Sequence, residues 1–179
     1  MERKDGLIGN DALNEIALDS VFIFDFETAQ VLSLIFYLEC RWIVTDLIEK
    51  ELKTPNVPAL KQMGLNVVSL TPAQVKDIGA LAQCYIEPSV QDLSCLVYAR
   101  DNNIPLVTRD SALRRAARKE GVRVLDSHDI MLKLVTQKII TPQAAADALE
   151  VIQKRRLRTP RSDWTKLINR WRKQAAIEG

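Results

Sequence analysis

One histidine, His128, is all that this 179-residue chain holds. A site needing two histidines of one chain is therefore excluded. Glycine is scarce as well, six in all, and no Gly-rich loop of the kind that cradles phosphate is present. The three cysteines, Cys40, Cys84 and Cys95, are an odd number without metal-ligand spacing, so reduced core thiols are expected. No apolar run approaches the roughly 20 residues of a membrane span. The charged start, Met1-Glu2-Arg3-Lys4-Asp5, precedes no signal-type apolar stretch, and a cytoplasmic protein without membrane contact is expected. Any chemistry must be carried by carboxylates and basic residues.

What the chain does contain is enough for a proper core: 47% of residues are hydrophobic and 27% are charged. The length fits one domain with an appendage. The net charge of +2 conceals an asymmetry. Residues 151–179 carry nine Lys/Arg against two Asp/Glu, whereas residues 1–150 carry sixteen against twenty-one. A basic tail on a mildly acidic body suits a polyanionic partner.

Helix and strand signals alternate along the first 125 residues. Val21-Phe22-Ile23-Phe24-Asp25 reads as a core strand ending in a carboxylate, followed by a helix over 27–39. Trp42 to Thr45 reads as a second strand running into a helix at 46–52, and Pro55 and Pro58 then break the chain. Asn66 to Leu70 is a third strand. Thr71-Pro72 opens a helix by cap and proline. Ser89 to Asn102 reads as another helix, 104–108 as a strand, 111–119 as a helix and 122–125 as a short strand. This alternation predicts a mainly parallel sheet covered on both faces, a three-layer α/β/α architecture. From Thr141 only helices follow, the last at 163–176 with Trp164, Leu167, Ile168 and Trp171 on one stripe. The expected division is a domain over 1–140 and a basic helical extension over 141–179.

Two of these strands end in an aspartate, Asp25 and Asp110. In open α/β sheets ligands bind outside the carboxyl ends of the strands. Carboxylates gathered there repel one another unless a cation lies between them, so a divalent-metal site is the leading expectation. Each acid also has a plain structural reading. Asp25 and Asp110 could cap helices, Asp92 completes the capping box Ser89-Val90-Gln91-Asp92, and Glu51 could be an exposed helix residue, with Glu49 nearly as good a candidate.

Taken in order, these acids resemble the PIN-domain nucleases, a group that includes the toxins of many prokaryotic toxin–antitoxin pairs. An aspartate ending the first strand looks like Asp25. A glutamate in the helix after the second strand looks like Glu51-Leu52. An acid in a Ser-x-x-Asp helix start looks like Asp92, and a strand-ending acid followed by a helix looks like Leu106-Val107-Thr108-Arg109-Asp110. The similarity covers roughly residues 20–135. In the family a small polar residue usually follows the first aspartate, whereas Phe26 follows Asp25 here. The resemblance implies a PIN-like fold and a metal-dependent ribonuclease, with Asp25, Asp92 and Asp110 holding Mg²⁺ or Mn²⁺ and Glu51 as a fourth ligand or water-orienting residue. RNA as substrate, an antitoxin protein and a homodimeric second copy are the expected partners. Thr108 or Ser111 would hydrogen-bond a ligand, and Arg109, Arg114 and Arg115 would hold the phosphate backbone. Lys154, Arg155, Arg156, Arg158 and Arg161 are expected as further phosphate contacts. The alternative is a PIN-like module that binds RNA or protein without cleaving it. Phe24-Asp25-Phe26-Glu27-Thr28 also resembles the opening motif of haloacid-dehalogenase-like phosphatases, but no later Gly-Asp-x-x-x-Asp accompanies it.

Overall fold

The computed structural model describes residues 14–156 and 162–178. Five parallel strands form one sheet in the order β3-β2-β1-β4-β5: β1 (Glu15–Leu18), β2 (Arg41–Thr45), β3 (Leu65–Val68), β4 (Leu106–Val107) and β5 (Val124–Leu125). Helices α1 (Ser20–Thr28), α2 (Asp46–Glu51), α3 (Val57–Met63), α4 (Pro72–Cys84), α5 (Val90–Asp101), α6 (Ser111–Lys119) and α7 (Ser127–Thr136) connect and flank the strands. The chain closes with α8 (Pro142–Arg156) and α9 (Ser162–Glu178). The expected three-layer α/β/α architecture with a helical extension is present.

The central strand is not where the hydrophobic run suggested. β1 is the short segment Glu15–Leu18, and residues 20–28 form α1 instead of a strand ending at Asp25. Asp19 starts that helix: its side chain accepts a hydrogen bond from the Phe22 N–H at 2.9 Å, satisfying one of the donors a helix start leaves open. One turn apart, Phe22 and Phe26 stack with centroids 4.1 Å apart. Aromatic and β-branched residues favour strands by propensity, but a helix buried among neighbours has no polar face to reveal its period. The helix expected over 27–39 is accordingly replaced by the end of α1 and a 3₁₀ segment, Leu32–Tyr37.

Local capping chemistry decides the helices that follow. α4 and α5 start at the anticipated caps Thr71 and Ser89; the expected Ser89/Asp92 capping box is present, and Gln74 completes a second box with Thr71. α3 begins at Asn56 with proline in its first turn, so Pro58 opens a helix where it had been read as a breaker. Along β1, Ile16, Ala17 and Leu18 are all buried, as a parallel strand covered on both faces requires.

The apolar stripe of α9 turns inward. Trp164, Ile168 and Trp171 are buried in the single core cluster, and Leu167 packs on its margin. α9 is thereby anchored on its own domain through α8.

Candidate active site

Parallel pairing aligns the carboxyl ends of the strands at one edge. Leu18 pairs with Val107, so Asp19 and Thr108 emerge side by side from β1 and β4. The Thr108 hydroxyl donates to Asp19 Oδ2. The same hydroxyl accepts the Asp110 N–H at 3.0 Å. One threonine therefore links the two strand-end aspartates.

Asp19 is fully buried. Its carboxyl is pushed up from 3.8 to about 7, chiefly by burial. Hydrogen bonds from Thr108 and the Phe22 N–H work against that rise, and the charges of Asp92 and Asp110 add to it. Asp19, Asp92 and Asp110 thus form one electrostatically coupled group at the strand edge.

Each of these acids is fixed by a helix start. Asp110 caps α6, its Oδ1 accepting the Leu113 N–H at 2.8 Å. Asp92 closes the capping box of α5, its Oδ2 accepting the Ser89 N–H at 2.9 Å. The capping readings and the functional reading are therefore compatible, because a cap engages one oxygen of each carboxylate. α5 is tied to the sheet just beyond Asp92. The Ser94 and Thr45 hydroxyls meet at 2.7 Å, and Cys95 Sγ donates to the Leu18 carbonyl at 3.2 Å. Burial, followed by the nearby Asp19 and Asp92, raises the Cys95 thiol well above its usual range, which keeps it an inert packing group.

Asp25 lies elsewhere. It sits wholly buried on α1, and its Oδ2 stands 2.9 Å from an Arg109 nitrogen. Arg109 also donates to the Ile152 carbonyl of α8 at 3.5 Å and lies 5.6 Å from the centre of the Trp164 ring. Asp25 and Arg109 therefore join α1, the β4–α6 turn and the helices α8 and α9. The strand-end place expected for Asp25 belongs to Asp19. The signal was present in the sequence: Asp19 is followed by Ser20, the small polar residue that Asp25 lacks.

Glu51 is exposed at the far end of α2, and Glu49 pairs with Lys61 at 2.5 Å. The charges that act most strongly on Asp19 are those of Asp92 and Asp110. The arginines expected to hold phosphate have other partners. Arg109 is buried as described, and Arg114 binds Asp126 and the Thr108 carbonyl, each at 3.0 Å. Arg115 is exposed and pairs with Glu87. In the tail, Lys154 pairs with Glu150, and Arg155 donates to Thr28 and the Phe24 carbonyl. The Arg156 side chain and residues Arg158 and Arg161 lie outside the described residues.

Among the described residues, no three acidic, histidine or cysteine side chains converge closely enough to chelate an ion unaided. Mg²⁺ does not demand such a cage; it retains several waters and is commonly held by one or two carboxylates together with substrate phosphates. The donor set fits that chemistry. It consists of hard carboxylate oxygens, one of them on a group whose ionisation is opposed by burial and by the charges of Asp92 and Asp110.

A parallel five-stranded α/β/α domain with aspartates gathered at the carboxyl edge of β1 and β4 is a nuclease-type fold. A family model described as "DUF3368: PIN domain" matches residues 15–173, and the chain belongs to that family. The match runs through α8 and most of α9. The chain is also similar to a solved PilT N-terminus domain protein from the hyperthermophilic archaeon Sulfolobus solfataricus P2, with a TM-score of 0.43 and 10% identity over 66% of this chain and 92% of that one. No curated protein matches it significantly. No helix among the described residues is long and apolar enough to cross a membrane.

Proposed function

We propose that this chain is a Mg²⁺- or Mn²⁺-dependent endoribonuclease, with Asp19, Asp92 and Asp110 as its acidic centre. The observation that carries the reading is the meeting of acids at the strand ends: β1–β4 pairing sets the wholly buried Asp19 beside Thr108, whose hydroxyl bonds both Asp19 and the Asp110 N–H. A cation relieves repulsion among acids gathered in this way, and a functional site is where a perturbed carboxylate such as Asp19 tends to occur. A bound divalent ion would supply Lewis acidity toward a phosphodiester and lower the pKa of a bound water.

The chain's own part is to orient and to position. Thr108 holds Asp19 and Asp110 in fixed relation, and the α5 capping box holds Asp92. Lys166, Arg170 and Lys173 are exposed on α9 and suit sequence-independent contacts to an RNA backbone. An antitoxin protein and a second copy of the chain are the partners this reading anticipates in a toxin–antitoxin pair.

The test is RNA cleavage by the purified chain in Mn²⁺, compared with Asp19→Asn. Metal-dependent cleavage that the variant lacks supports the reading; cleavage retained by the variant overturns it. A second reading, a PIN-like module that binds RNA or protein without cutting, draws on the exposure of Glu51 and on the absence of a ready-made chelate among the described residues. RNA binding by a parent that cleaves nothing in any divalent metal would establish it.

A further inference from the structure

Thr108 is bonded at every polar group it has. Its hydroxyl donates to Asp19 and accepts the Asp110 N–H, and its own N–H donates to the Leu125 carbonyl of β5 at 3.2 Å. Its carbonyl lies one residue past the end of β4, and there a side chain takes over: Arg114 Nη1 donates to it at 3.0 Å. The same nitrogen donates to Asp126 Oδ2, also at 3.0 Å. Asp126 is buried and directly follows Leu125 in the chain. Asp126, Arg114 and Thr108 thus form a run of bonds from the end of β5 to the hydroxyl between Asp19 and Asp110.

The two helices that supply Arg114 and Asp126 have other means of support. α6 is capped by Asp110 and buries Leu113, Ala116 and Ala117. α7 is started by the Asp126/Asp129 capping box and buries Ile130, Met131 and Leu134. A buried ion pair adds little net stability over apolar residues of the same size, because desolvation offsets most of the attraction. What this pair supplies and apolar contact cannot is direction. A planar guanidinium nitrogen carries its N–H bonds at a fixed angle, so Arg114 sets where the Thr108 carbonyl points relative to the anchored Asp126.

We infer that Arg114 is a positioning residue for the acidic centre: anchored by Asp126, it fixes Thr108, and through the Thr108 hydroxyl it holds Asp19 and Asp110 in one arrangement for a divalent ion. The inference rests on the metal reading above. It replaces the phosphate contact that the sequence suggested for Arg114 with a bond to the turn that carries Asp110. Groups that orient metal ligands without touching the metal typically change its affinity 10–100-fold when removed.

The test is Mn²⁺ affinity, read from the electron paramagnetic resonance signal of the free ion, together with RNA cleavage kinetics on the full chain. Arg114→Met is combined with Asp126→Asn, so that no buried charge is left alone and asparagine still caps α7. This paired variant should unfold as cooperatively as the parent and bind Mn²⁺ about tenfold more weakly. Arg114→Lys, which keeps a cation for Asp126 on a shorter stem, should also fold and lose affinity. Thr108→Val should lose a similar factor, and Thr108→Ser, which keeps the hydroxyl, should match the parent. Adding Thr108→Val to the paired variant should weaken binding no further than Thr108→Val alone, because both act through one hydroxyl. In cleavage, kcat should fall while KM for RNA stays the same. Parent-like Mn²⁺ affinity in the paired variant or in Arg114→Lys overturns the inference. So does a loss that adds in full to that of Thr108→Val, which would mark a general loosening of the fold. A raised KM at constant kcat overturns it as well and gives Arg114 to the phosphate backbone. A parent that binds no Mn²⁺ refutes the metal reading and this role with it; Mn²⁺ bound equally by parent and variants refutes the role alone.

Discussion

Asp25 and Arg109 form a buried ion pair, 2.9 Å apart, between α1 and the residue that immediately precedes Asp110. Its surroundings, the Ile152 carbonyl and the Trp164 ring, come from the last two helices. The last two helices are thus tied to the turn that carries Asp110.

Removing one partner leaves a buried charge uncompensated. Arg109→Ala or Asp25→Ala should each destabilise the protein by roughly 3–5 kcal/mol in urea unfolding. Replacing both with apolar residues of similar size, Asp25→Leu with Arg109→Met, should restore most of that loss. A double variant as unstable as either single one would show that the pair is not what joins these elements.

The Asp19 carboxyl makes stability depend on pH. It titrates near 3.8 when unfolded and near 7 when folded. Between these values the folded chain keeps a proton that the unfolded chain releases, so stability falls as pH rises from about 4 to about 7, then levels off. Each pKa unit corresponds to about 1.4 kcal/mol. In the metal-free protein at pH 8, Asp19→Asn should therefore raise the melting temperature, since asparagine also caps a helix. Added Mg²⁺ should stabilise the parent and not the variant. Identical melting at pH 8 with and without metal would contradict the coupling.

His128 carries the opposite sign. Burial lowers its pKa, but Asp126, Asp129 and Asp163 more than offset that, and the net shift is upward from 6.5. The stability it contributes is complete below pH 6.5 and is lost as pH rises through its higher folded value. The advantage of the parent over His128→Gln in chemical unfolding should be largest near pH 5.5 and shrink towards pH 9. A gap that grows with pH would refute the assignment.

The exposed face of α9 should be legible in salt dependence. Replacing Lys166, Arg170 and Lys173 with alanine should weaken RNA binding and flatten log affinity against log salt by about two units. The melting temperature should move little, because the buried stripe that anchors the helix is untouched. An unchanged slope would make these three residues ordinary solvated charges.

The sequence revealed most where structure is set locally. α6 spans the residues expected for it, and α4 and α5 begin at the caps read from Thr71 and Ser89. Those signals are contained within four residues. β1 was hidden for the opposite reason: it is four residues long, opens with the charged Glu15, and its place is set by pairing with β2 and β4, which no local pattern encodes. The more conspicuous apolar run beside it is a helix, and Asp25 was carried along with that run. Asp92 and Asp110 were legible because each opens a helix whose cap is written in neighbouring residues. The exposure of Glu51 depends on how α2 docks, which no local pattern encodes.

The helix caps at Asp92 and Asp110 have an evolutionary consequence. In a lineage that dispensed with the proposed cleavage, these positions would still be selected for folding, and substitutions there would drift mainly among asparagine, serine and threonine, which cap helices as well. The acidic signature would outlast the activity.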